Sequence, residues 1–210
     1  MTSEAQMNST IARKPAECRG LTFIVSAHDD PAELQVCLAS LRLQTVQGKI
    51  IVCDNSERWS NEIHLLAQQG QIIYWRGQPS DGCYTSANKL IFSRPTEEFL
   101  CFPSSDSYYV PGFAEIMLRT ASENDLDFVY CDCIYDPRLN GGRNYSLLYT
   151  MPKIGSIDKT CFIVRSTIFS AAGGFPDHLH DYRDGALAEM LVHKLKVRHM
   201  KAPGVLVFHN

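Results

Sequence analysis

The side chains able to do chemistry fall in four short polar stretches. SAHDD puts Asp29 and Asp30 directly after an apolar run, and VCDNSE puts Asp54, Asn55 and Ser56 after another. FPSSDSYYVPG sets one carboxylate, Asp106, among Ser104, Ser105 and Ser107. HLHDYRD gathers His178, His180, Asp181 and Asp184, and a closing VLVFHN carries His209. A carboxylate can take a proton from a hydroxyl, accept a hydrogen bond from a ring N–H, or ligate a hard divalent cation, and an imidazole can join it as ligand. A serine hydroxyl hydrogen-bonds but brings no charge and is a poor partner for a hard cation. The spacing in HLHD fits no zinc pattern, and those residues read as loop. Capping or turn chemistry accounts equally well for any one of these positions taken alone.

The elements that must hold these residues alternate. LTFIVSA (21–27) is strand-like, and Pro31 suits the first turn of a helix carried by Leu34, Cys37, Leu38 and Leu41 to about residue 45. KIIVC (49–53), a helix over 61–69, QIIYW (71–75), a helix near 84–93 and EFLCF (98–102) continue the pattern. Strand and helix in strict alternation imply right-handed crossovers: an α/β domain with a mainly parallel central sheet flanked by helices. In such sheets ligands gather beyond the carboxyl ends of the strands, which is where Asp29, Asp54 and the 104–107 turn fall.

The second half is less regular. DFVYCDCIY and TCFIVR are strand-like, PRLNGGRNYS is turn-rich, and STIFSAAGGF predicts a short helix with Ser166 as cap and Gly173 near its stop. A helix over 185–194 precedes KVRHM and VLVF. Residues 1–19 read as a flexible leader and 20–210 as one domain.

Composition narrows the partners. A formal charge of -3 and no dense basic block exclude a nucleic-acid binder of the phosphate-tracking kind. No apolar run approaches the roughly 20 residues that span a bilayer, and the start lacks a signal peptide's apolar centre. A cytoplasmic protein is expected, with peripheral contact to a membrane-borne acceptor still compatible. Of eight cysteines, Cys37, Cys53, Cys101 and Cys161 lie in apolar runs and read as reduced core residues. Cys131 and Cys133 would share one strand face, with no second pair to complete a zinc set.

The order FIVSAHDDPAELQVCLASLRLQT, KIIVCDNSE, SANKLI, FLCFPSSDSYYVPGF, GGFPDHLHDYRDGALAEML and APGVLVFHN resembles the family 2 glycosyltransferases of the GT-A (Rossmann-like) fold over about residues 20–210. The resemblance implies that Ala27 and Asp29 line a nucleoside pocket, that Asp54 accepts a hydrogen bond from the nucleobase, and that Asn88 matches the family's helix asparagine. Ser104-Ser105-Asp106 falls on the family's Asp-x-Asp, so Ser104 replaces the first acid. Asp106 then corresponds to the main metal ligand, and His209 to a ligand some members add. Asp184 matches the general base, with Arg183 in place of the preceding acid and Asp181 as a nearby rival.

The activity implied by this resemblance is that of an inverting transferase, which moves a sugar from a nucleotide-diphosphate sugar to the hydroxyl of a saccharide or other acceptor, with Mn2+ or Mg2+ on the diphosphate. Acceptor choice would lie in 136–157, where RNYSLLYTMPK mixes aromatic and basic side chains. The substituted acids leave a second reading, a non-catalytic sugar-nucleotide-binding homologue acting as a partner subunit. A nucleotidyltransferase is disfavoured because no Gly-rich, basic phosphate loop follows the first strand.

Overall fold

In a computed structural model of the chain, residues 20–29, 31–58, 61–136, 144–177 and 182–209 are described. The expected leader lies outside them. β1 (Leu21–Ala27), β2 (Lys49–Asp54), β3 (Ile73–Arg76) and β4 (Phe99–Cys101) alternate with α1 (Pro31–Arg42), α2 (Asn61–Gln68) and α3 (Gly82–Ser93). β5 (Ser107–Tyr109), α4 (Phe113–Glu123), β6 (Phe128–Tyr135), β7 (Ser146–Leu148), β8 (Phe162–Arg165) and α5 (Ser166–Ala171) follow. The chain closes through α6 (Arg183–Glu189), a wider helical turn at Met190–Lys194, and β9 (His199–His209).

The sheet order is β3-β2-β1-β4-β8-β6-β9-β5, with β7 also on β6. β3, β2, β1 and β4 pair parallel with one another, as helical crossovers require, and β4 pairs antiparallel with β8. Beyond β4 the sheet is mixed. Among the described residues no α-helix separates β6, β7 and β8, and β7 and β8 each pair antiparallel with β6, whereas β9 follows α6 and lies parallel to β6.

Two differences from the sequence reading bear on the site. FPSSDSYYVPG is more than a loop before a helix, because Ser107–Tyr109 forms β5 and pairs antiparallel with the end of β9, Ser107 opposite His209. The end of KVRHM, from His199, and VLVF are one strand, carried through Pro203 and Gly204 by register shifts opposite 130–133, where a bulge tolerates a residue without an N–H. Ser166 is the first residue of α5 rather than its cap, which is Arg165, and Gly173 lies just past the helix end with a left-handed φ of 81°.

The core fills both faces of the central strands. Phe102 packs on Phe162, Phe169 and Phe175, with ring centroids 5.8, 5.2 and 4.8 Å away, and so gives the following 103–106 turn a rigid backing. Buried Gln44 fastens α1 to α4: its amide donates to Ser40 O and Val110 O and accepts from Ala114 N. The seven described cysteines are free, and Cys37, Cys53, Cys101, Cys131, Cys133 and Cys161 are buried. Among the described residues no helix is long and apolar enough to cross a membrane.

Candidate functional site

The carboxyl ends of the parallel strands are stitched into one edge. Ser26 N donates to Pro103 O and Ser105 N to Ser26 O, which lays the Ser104-Ser105 turn against the end of β1. Asn55 N donates to Ala27 O and Gly77 N to Asp54 O, aligning β2 and β3 beside it. Gly77 is required there, since a Cβ would sit 1.9 Å from Asn55 Oδ1.

A cleft of about 620 Å³ opens at this edge, lined by Ala27, Asp29, Ser56, Arg58, Asn61 and Glu62 among others. Asp29 holds a left-handed φ of 45°, which Asp tolerates better than most residues, and its N–H is fixed by Ser56 Oγ at 2.9 Å. Ala27 and Asp29 therefore both line this cleft. Asp30 falls outside the described residues.

Asp54 is fully buried and does not line the cleft. Its Oδ2 accepts from Arg76 Nη1 at 2.7 Å and Tyr74 OH at 3.0 Å, and its Oδ1 from Ser56 N at 2.9 Å. Its grip on the cleft thus passes through the shape of the 54–56 turn. Asn88 is likewise engaged: its amide donates to Phe175 O at 2.8 Å and accepts from Phe175 N at 2.9 Å, clamping α3 to the segment after α5.

Asp106 and His209 come together. β5 and β9 bring His209 Nδ1 within 3.6 Å of Asp106 Oδ1 and within 2.9 Å of Ser107 Oγ. Asp106 Oδ1 is buried and has no hydrogen-bond partner, so the pair offers an oxygen and an imidazole nitrogen to a cation. Among the described residues no three His, Cys, Asp or Glu side chains are grouped to hold a metal ion. Two protein ligands fit an ion whose remaining positions go to phosphate oxygens and water, the usual arrangement for Mg2+ on a nucleotide.

Asp184 lies in the first turn of α6, buried, with Oδ1 accepting from Gly185 N at 2.8 Å and Oδ2 from Lys159 N at 3.1 Å. Burial, helped by the nearby Asp158 charge, pushes its carboxyl up to about 6 against the pull of those two N–H groups and Lys159. Asp158 goes the other way. Burial would raise it, but His209, Lys159 and the Thr160 N–H outweigh that and hold it below the ordinary carboxylate range. Two neighbouring acids driven apart in this way are a pattern of acid–base sites. Arg183 bonds Thr85 Oγ1 at 3.1 Å and covers the Tyr84 ring, tying α6 to α3. His178, His180 and Asp181 fall outside the described residues.

Sequence reasoning missed Asp158 and Lys159. Lys159 Nζ donates to Ser104 Oγ at 2.6 Å while its backbone N–H holds Asp184, so one residue joins the 104–106 turn to α6. The only signal was an Asp-Lys pair just ahead of an apolar strand, which on its own reads as surface charge.

No model of a known protein family matches the chain. A Bacillus subtilis (strain 168) protein named "Putative glycosyltransferase EpsH" is 29% identical over 122 residues, covering 55% of this chain and 34% of that protein. Among solved structures, S. aureus TarS superposes with a TM-score of 0.71 at 14% identity, over 91% of this chain and 36% of TarS. Residues 1–349 of TarS in complex with UDP-GlcNAc give 0.69 at 15%, over 90% and 58%. A mannosyltransferase, PcManGT from Pyrobaculum calidifontis, in complex with GDP-Man and Mn2+, gives 0.70 at 14%, over 95% and 59%. The chain spans about a third of the curated relative's length. Its fold is that of the GT-A-type glycosyltransferases.

Proposed function

We propose that this GT-A-type chain transfers a sugar from a nucleotide-diphosphate sugar to an acceptor hydroxyl with inversion at the anomeric carbon. The observation that carries the reading is Lys159, whose backbone holds the candidate base while its side chain holds the candidate donor turn. The curated relative and the sugar-nucleotide complexes of the structural neighbours support the same substrate class.

The nucleoside enters the cleft at Ala27, Asp29 and Ser56, whose loop is set by Asp54 and Arg76. Direct acceptance of a nucleobase N–H by Asp54 requires Arg76 to yield an oxygen. Ser104 and Ser105 hold the sugar-diphosphate end. Asp106 and His209 would hold Mn2+ or Mg2+, which offsets the charge of the departing diphosphate. Asp184 takes the proton from the acceptor hydroxyl as its oxygen attacks the anomeric carbon and the nucleoside diphosphate leaves on the opposite side. A base near 6 is ionised at neutral pH and remains basic enough to accept that proton.

Tyr145, Leu147, Tyr149 and Met151 are exposed along β7 and its flanks, and Ile154 packs its backbone on Gly185 beside Asp184. Ile154 N also donates to Glu189 Oε1 at 3.0 Å. We read this face as a candidate acceptor wall, with aromatic faces suited to a sugar ring.

The test is a panel of UDP-, GDP- and dTDP-sugars with Mn2+ or Mg2+, following nucleotide release in the presence of saccharide acceptors. Turnover that disappears in Asp184→Asn with donor binding retained supports the reading. Donor binding without turnover across acceptors would favour the non-catalytic subunit.

A further inference from the structure

The positive charge of Lys159, beyond its hold on the donor turn, has a further use. Lys159 is 6% exposed, and its ammonium donates to Ser104 Oγ at 2.6 Å and Phe102 O at 3.3 Å. Among the described residues no carboxylate forms an ion pair with it. Asp158 and Asp184 feel it only through space. An ammonium withdrawn from water and held by two neutral oxygens is costly unless an anion completes its surroundings.

Ser104 stands where the resembled family carries an acid. An aspartate at that position would close an ion pair with Lys159, whereas serine leaves the ammonium without a direct ion-pair partner, offset only through space by Asp158 and Asp184. The hydroxyl also changes what the turn presents. Its oxygen accepts from the ammonium, so its own hydrogen remains for a further acceptor. The backbone N–H groups of Ser105 and Ser107 are taken by Ser26 O and Ser104 O, which leaves the Ser104 hydroxyl as a polar donor of the turn. An acid would offer an acceptor-only, negative group at the same place.

We propose that Lys159 and Ser104 form an anion-recognising pair for the donor's diphosphate, so that the acid absent from the turn has been exchanged for positive charge. This rests on the nucleotide-sugar reading above and adds to it a residue and a charge. Lys159 acts through Ser104 and is a positioning residue. Its ammonium fixes the hydroxyl's direction and makes it a stronger donor to a phosphate oxygen. Diphosphate grip then depends less on the cation than it would with two acids in the turn. Restoring the acid becomes harmful, because it neutralises Lys159 and sets a negative charge against the phosphate.

The test is calorimetric titration with UDP, GDP and dTDP, each against its monophosphate, in EDTA and again with Mn2+. Wild type is expected to prefer the diphosphate by about tenfold or more in EDTA, the worth of one charge-assisted hydrogen bond. Lys159→Met and Ser104→Asp should each erase that preference while leaving monophosphate affinity within about twofold, a split that general loss of structure would not produce. Ser104→Asp keeps the lysine in place and decides the matter if Lys159→Met does not fold. Tighter diphosphate binding in Ser104→Asp, or an undiminished preference in Lys159→Met, overturns the proposal. A protein that binds none of these nucleotides overturns the donor reading itself, whereas a diphosphate preference untouched by both variants overturns the lysine pair alone.

Discussion

His209 Nδ1 stands 3.6 Å from Asp106 Oδ1, and the contact exists because β5 and β9 pair with Ser107 opposite His209. Asp106 Oδ1 has no hydrogen-bond partner of its own. A buried carboxylate oxygen without a donor is unfavourable unless something cationic completes it, either a protonated imidazole or a metal ion.

A cation with only two protein ligands should bind poorly alone and well with a nucleotide. Mn2+ is therefore expected to raise the melting temperature in the presence of UDP or GDP and to do little without it. Asp106→Ala should abolish the joint effect, and His209→Ala should weaken it. A thermal-shift grid of metal against nucleotide measures this; an Asp106→Ala protein that keeps the full response would remove Asp106 as ligand.

Asp184 gives a pH dependence with a definite sign. Its folded value, about 6, lies above the ordinary 3.8, so the folded state binds the proton more tightly than the unfolded state. The group thus favours folding below about pH 4, and this contribution is lost as pH rises to about 6, a swing of about 3 kcal/mol in total. Denaturant melts across that window should show it, and Asp184→Asn should flatten it. Activity must run the opposite way, kcat/KM rising through about pH 6 because the base works only when ionised. A rate that falls over this range in wild type excludes Asp184 as the base.

Much of this arrangement could be read from the chain. The alternation from Leu21 to Cys101 fixes parallel strands whose polar ends converge, and so locates Ala27, Asp29 and the Ser104 turn. What escaped depends on pairings remote in sequence. β5 has three residues and gains its strand character only from β9, so no local periodicity marks it. Asp54 and Asn88 lie on the predicted elements, but Arg76 and the Phe175 backbone occupy their polar atoms, and spacing does not reveal which partner a side chain meets. Lys159 was invisible for the complementary reason. A lysine is read as solvated unless the fold closes over it.

The Asn88 clamp predicts a stability effect. Asn88→Ala leaves the buried Phe175 N–H and C=O without partners and should cost about 1–3 kcal/mol. Gly174→Ala should also destabilise, since Gly174 has a φ of 79° and an added Cβ would lie 2.3 Å from Asn88 Oδ1. The pair shares one contact, so the double variant should cost less than the sum of the two singles. Additive urea midpoints would place the two effects in separate parts of the structure.

The acceptor wall separates two activities that share a donor. Tyr149 is 69% exposed, with Lys201 Nζ 5.9 Å from the ring centroid, so its removal disturbs no core packing and stability should stay within about 0.5 kcal/mol. If its ring carries the acceptor sugar, Tyr149→Ala should raise the acceptor KM several-fold and leave donor hydrolysis in water unchanged, because water needs no platform. Equal losses in both reactions would place Tyr149 on the donor side or outside the site. An unchanged acceptor KM would move acceptor recognition away from β7 altogether.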